Sequence, residues 1–118
     1  MFEPIWPKDR FSITDGEPKT YATVSAGSGK QVVVHFCGDC GTKLYLAFGR
    51  FPDVVGVYGG TLDRPAAVMA GVEHACLFVD EAIEGTVIPA GMKAWRQHRL
   101  TSDGAPIAAT VLEAPLRI

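Results

Sequence analysis

Residues 35–48, HFCGDCGTKLYLAF, constrain this chain most, because they set a Cys-x-x-Cys-Gly turn between two runs patterned as β-strands. Cys37 and Cys40 are joined by Gly38 and Asp39 and followed by Gly41, so the backbone can curl until both sulfurs face one ion. The positive φ and close backbone approach that such a knuckle needs come cheaply only where there is no Cβ. Two thiolates at this spacing make half of a structural zinc site, since zinc takes four ligands, usually Cys or Cys with His. Zinc is therefore the expected cofactor, Cys37 and Cys40 its expected ligands, and the second pair has to come from elsewhere.

The runs around the turn set the fold class. In an extended segment over 31–37, Val32, Val34 and Phe36 fall on one face and Val33, His35 and Cys37 on the other. Residues 43–48 return, with Leu44, Leu46 and Phe48 alternating with Tyr45 and Ala47. Upstream, 11–14 and 19–24 read as a hairpin around Asp15-Gly16, and 25–29 is a loop of small residues. Downstream, 54–58 is a strand closed by Gly59-Gly60, 61–65 is a turn, and an alanine-rich irregular segment leads to a strand over 73–79. One helical turn is expected over 80–84 and two over 92–99, where Met92, Trp95 and Arg96 fall near one face; 107–112 is β-compatible. The first ten residues, broken by Pro4 and Pro7, are an extended lead-in expected to lie across the sheet with Phe2, Ile5 and Trp6 packing. The whole reads as one mainly β domain over 1–118, built of packed antiparallel sheets.

Bulk properties narrow the function. A net charge of −2 and the absence of a Lys/Arg run argue against nucleic acid as the partner, because phosphate binding needs a basic face. No apolar stretch reaches the roughly 20 residues that span a bilayer, and residues 1–10 lack the basic start and apolar core of a secretory signal. Three cysteines, two of them in a Cys-x-x-Cys, suit a reducing cytoplasm better than a disulfide framework. The expectation is a cytoplasmic protein without membrane or nucleic-acid partners.

The order of several short pieces resembles the glutathione-dependent formaldehyde-activating enzyme family, over roughly residues 9–76. RFSITDGEPKTY is similar to its phenylalanine, strand, Gly-Glu-Pro and tyrosine segment, and HFCGDCGTKLY to its Phe-Cys-x-x-Cys-Gly-x-x-Leu motif. GGTLDRPAA is similar to its Gly-x-Leu-Asp-x-Pro turn, and His74 falls where the family tends to carry a histidine. The resemblance implies an Mss4-like fold with the Cys-x-x-Cys-Gly knuckle between two strands. It also implies an upstream Cys-x-Cys that completes the structural zinc, and a Cys-x-Cys-x-x-Cys that holds a catalytic zinc. Residues 1–118 contain neither motif, so the expectation is a domain truncated at its N-terminus relative to the family, with the fold and the Cys37/Cys40 half-site kept. The family reaction, condensation of formaldehyde with glutathione in the carbon–sulfur lyase class, would lose its metal centre.

Two functional readings follow. One is a carbon–sulfur lyase of the family's kind whose start lies further upstream; the other is a non-catalytic β module that binds a thiol, another small molecule or a protein. Zinc could be completed within the chain by His74 and Cys76, two apart on the expected strand 73–79, giving a Cys₃His set with Cys37 and Cys40. A second subunit's pair across a two-fold axis would serve instead, which makes a homodimer an expectation as well. Without metal, Cys37 and Cys40 are simply packed thiols. His35 is either a base beside the cysteines or a structural strand histidine, and His98 reads as solvated surface. Trp6, Tyr45, Tyr58 and Trp95 are candidates for a small pocket or for core, and Asp63 is a turn residue.

Overall fold

The computed structural model describes residues 1–118, and they divide into two compact units, Met1–Val68 and Met69–Ile118. The first is a five-stranded antiparallel sheet of β1 (Ile5–Pro7), β2 (Lys19–Val24), β3 (Gln31–Phe36), β4 (Lys43–Phe48) and β5 (Val54–Val57). Its spatial order is β1-β5-β4-β3-β2. Strands β2 to β5 follow the alternation of the sequence and form a meander, each pairing with the next. The lead-in does not lie across the sheet. Residues 5–7 pair with β5 as an edge strand, Trp6 opposite Val55, and the bonds continue outward from Gly59 N–H to Phe2 O and from Lys8 N–H to Asp53 O.

Because β1 and β2 occupy opposite edges, residues 8–18 must cross one face of the sheet. They start in a 3₁₀ turn, Lys8–Arg10, and lay Phe11 on Tyr45 with ring centroids 4.7 Å apart. The expected strand over 11–14 is therefore absent, and with it the first hairpin. The Asp15-Gly16 turn is real, with Gly16 at φ +73, but the partner of β2 is β3, reached through the 25–30 loop. Each face of the sheet contributes one well-buried side chain: Val55, 2% exposed, on the Tyr45 side, and Leu46, 7% exposed, on the other.

Glycines admit the N-terminal residues to the far edge. A Cβ on Gly56 would overlap the Glu3 carboxylate, and one on Gly59 would overlap the Phe2 ring. Glu3 Oε1 is buried there without a hydrogen-bond partner, and burial raises its pKa above the usual carboxylate value. Burial, and then the nearby Glu3 charge, push the Tyr58 hydroxyl up as well.

After a 3₁₀ turn, Gly59–Thr61, the alanine-rich segment forms a helix, α1 (Pro65–Ala70), where an irregular chain is expected. Proline suits the first helical position, whose N–H has no partner within the helix, and alanine is the best helix former. The second unit is made of two-residue strands. β6 (Ala75–Cys76) runs parallel to β8 (Lys93–Ala94), which pairs antiparallel with β9 (Thr110–Val111); β7 (Val87–Ile88) pairs antiparallel with β10 (Leu116–Arg117).

The expected strand over 73–79 shrinks to β6 because Phe78 turns left-handed at φ 58 and leads into a 3₁₀ turn, Val79–Glu81. The helix expected over 92–99 does not form. Gly91 enters at φ +82, Trp95 N–H goes to Cys76 O, and Leu112 N–H goes to Met92 O, so the backbone is committed to the sheet. The helical spacing of Met92, Trp95 and Arg96 has no helical counterpart: Met92 packs on the core, Trp95 Nε1–H bonds Ile107 O, and Arg96 pairs with Asp80 at 3.0 Å. Val79, Ile88 and Ala94 form this unit's core, with Cys76, Met92, Leu112 and Leu116 against it. No helix of the chain is long and apolar enough to cross a membrane.

Candidate metal centre

The loop between β3 and β4 spans residues 37–42. A register shift between His35 and Phe36 loosens the end of the ladder just before it. Two backbone bonds then close the turn, Cys37 N–H to Thr42 O at 2.8 Å and Gly41 N–H to Cys37 O at 2.9 Å. Gly41 adopts φ +74, which an L side chain resists. These constraints belong to the backbone and involve neither thiol.

Within the loop Cys40 is exposed and Cys37 half-buried, and both are free thiols. Cys40 Sγ and Thr42 Oγ1 share a hydrogen bond of 3.1 Å. The Cys40 pKa lies below the ordinary thiol value, chiefly because of that Thr42 side chain, then the Thr42 backbone and the neighbouring Cys37 thiol. A lowered thiol pKa suits metal binding, because the ligand is the thiolate.

Gly38 has a second role that the sequence does not show. Lys19 pairs with Phe36 across β2 and β3, and its stem runs over the loop, so that a Cβ on Gly38 would sit 2.9 Å from Lys19 Cε and 3.1 Å from Cδ. Lys43 flanks Phe36 from the other side and places Nζ 5.9 Å from the Tyr58 ring centroid. The loop therefore carries lysines on both borders, with Asp39 inside it.

His35 packs on its cross-strand neighbour. Its ring stacks on Tyr45, directly opposite in the ladder, at 4.0 Å and 11°. With Phe11 on the same Tyr45 this makes a three-ring packing on one face of the sheet. Burial lowers the His35 pKa and raises that of Tyr45.

His74 and Cys76 belong to the second unit. Cys76 is half-buried against the core and its thiol donates to Met92 Sδ at 4.0 Å. His74 lies just before β6 and lines an open depression with Glu73, Met92, Lys93 and Val111. Glu73 bonds Lys93 there, which lowers its pKa. His98 is not simply solvated: Nδ1 accepts the Leu100 N–H at 3.1 Å, and its ring lies 6.0 Å from that of Phe78. The four aromatics proposed for a pocket serve separately, Tyr45 in the stack, Trp6 on the edge strand, Tyr58 beneath Lys43 and Trp95 on Ile107.

The model of a family described as glutathione-dependent formaldehyde-activating enzyme matches residues 1–78. That span takes in the whole first unit, the Cys37–Cys40 loop included. No curated protein and no solved structure gives a match.

Proposed function

Given that this chain belongs to the glutathione-dependent formaldehyde-activating enzyme family, we propose that residues 1–118 supply its Mss4-like scaffold and a zinc knuckle at Cys37 and Cys40, without a catalytic zinc of their own. The observation that supports this is the 37–42 loop, preformed by backbone bonds with two neighbouring thiols on it. The donor set fits half of a tetrahedral site. Cys37 and Cys40 would take two positions of a structural zinc, and the other two need donors from outside the loop. When bound, zinc would keep both sulfurs deprotonated and staple the ends of β3 and β4 together.

Activation of formaldehyde calls for a metal with an open position that polarises the electrophile. In the family this falls to a Cys-x-Cys-x-x-Cys, a spacing that Cys37, Cys40 and Cys76 do not have. The test pairs metal analysis with turnover. Purified protein should retain zinc, lose it in Cys37→Ser and Cys40→Ser, and leave the consumption of formaldehyde by glutathione at its uncatalysed rate. Zinc-dependent acceleration that survives both substitutions would overturn the reading.

A further inference from the structure

We propose that the metal-free Cys37–Cys40 pair is a dithiol that exchanges with small, carboxylate-bearing disulfides, Cys40 being the attacking sulfur and Cys37 the resolving one. This goes beyond the zinc reading and does not depend on it, since a chain that never binds zinc still has the pair. Three observations carry it.

The first is that the two thiols are neighbours on a turn closed by its own backbone, from Gly41 N–H to Cys37 O and from Cys37 N–H to Thr42 O. Disulfide formation needs Cα atoms about 4.4–6.8 Å apart, the spacing that residues i and i+3 of one closed turn provide. The second is unequal access. Cys40 is exposed and its sulfur is held by the Thr42 hydroxyl, while Cys37 is half-buried behind it. A bulky disulfide reaches Cys40 first, and the thiol next to the resulting mixed disulfide on the same loop is Cys37; Cys76 is half-buried against Met92 in the core of its own unit. The third is charge. Lys19 lies over Gly38 and Lys43 stands at the other border, against Asp39 within the loop, which favours a disulfide with anionic groups over a cationic one.

The chemistry balances without a further reactant. The Cys40 thiolate attacks one sulfur of the disulfide RSSR, forming Cys40–S–S–R as the RS–SR bond breaks and RS⁻ leaves to take a proton. The Cys37 thiolate then attacks Cys40 Sγ, and the second RS⁻ departs. Two protein thiols are oxidised to one disulfide, and RSSR is reduced to two RSH.

The experiment uses the full chain stripped of metal by a chelator, its zinc content having been measured beforehand. No zinc at that stage ends the zinc reading and leaves this one intact. The protein is incubated with oxidised glutathione, the anionic probe, and separately with cystamine, the cationic one; intact mass, free thiols and peptide maps are read. The expected result is loss of two thiols, a mass lower by two hydrogens, a Cys37–Cys40 bridge, and Cys76 still reduced. Cys37→Ser should hold one glutathione on Cys40 without releasing it, Cys40→Ser should react at least about tenfold more slowly, and Lys19→Gln should slow glutathione but not cystamine. Circular dichroism checks that each variant is folded. The proposal is overturned by a lasting mixed disulfide in the unaltered protein, a bridge through Cys76, an unslowed Cys40→Ser, equal slowing of both probes by Lys19→Gln, or no oxidation by a large excess of oxidised glutathione.

Discussion

Strands of three to six residues run through the sheet of Met1–Val68, whereas every strand of Met69–Ile118 is two residues long. In the first unit four ladders join the five strands into one sheet, and the well-buried Leu46 and Val55 lie on opposite faces. In the second, ladders of two residue pairs cannot hold themselves in water, so order rests on Val79, Ile88 and Ala94 and on separate bonds such as Trp95 Nε1–H to Ile107 O. One half is organised by backbone, the other by side chains. The candidate site sits in the first half, where a loop can be positioned by the strands on either side of it.

Truncating one core side chain in each half should give the largest and most telling effect. Ile88→Ala and Leu46→Ala are each expected to cost about 2–5 kcal/mol, but with different patterns of amide hydrogen exchange. Ile88→Ala should strip protection from both short sheets at once, while Leu46→Ala should leave the β2–β3 ladder protected. Retained protection at Trp95 and Ile118 in Ile88→Ala would break the contrast. Next comes Gly59→Ala, whose methyl overlaps the Phe2 ring. It should cost about 1–3 kcal/mol and undock the N-terminal edge, read as faster exchange of the Gly59 and Val57 amides, which bond to Phe2 and Pro4.

Gly41→Ala probes the loop itself. A side chain at φ +74 is expected to cost about 1–2 kcal/mol and to lower zinc retention, without disturbing β1. The smallest effect concerns Glu3. Its raised pKa means that the folded state holds the proton more tightly than the unfolded chain, so stability is greatest below the ordinary carboxylate pKa of about 4.5. It is lost as pH climbs from there through the folded value. Glu3→Gln should flatten that part of the profile and gain on the order of 1 kcal/mol or less at neutral pH, a figure discounted for the partial exposure of the side chain. Denaturant titrations at several pH values check it.

How much the sequence reveals follows the same division. Strands β2 to β5 were legible because runs such as Gln31 to Phe36 and Lys43 to Phe48 extend over a full six residues, and the Cys37–Cys40 turn because glycines frame it. The crossing segment misleads: Phe11 and Ile13 alternate like a strand, yet Phe11 answers to Tyr45, more than thirty positions away. Two-residue strands such as Ala75–Cys76 have no period to read, and Met92, Trp95 and Arg96 imitate a helix by coincidence of spacing. At the site, the cysteines were visible and their setting was not. Lys19 reaches the loop only through its register with Phe36, and the sulfur contact of Cys76 with Met92 depends on a parallel pairing no local pattern announces.

The strand order has a kinetic consequence. Hairpin loops of five or six residues join β2 to β3, β3 to β4 and β4 to β5, so the meander can assemble from local closures. The pairing of Ile5 with Gly56 must instead enclose the entire meander. Each doubling of an enclosed loop adds only about 0.6 kcal/mol of closure entropy, yet that cost falls before any bond of the β1–β5 ladder forms. Residues 1–7 are thus the part of the sheet that folding reaches last and that local unfolding releases first.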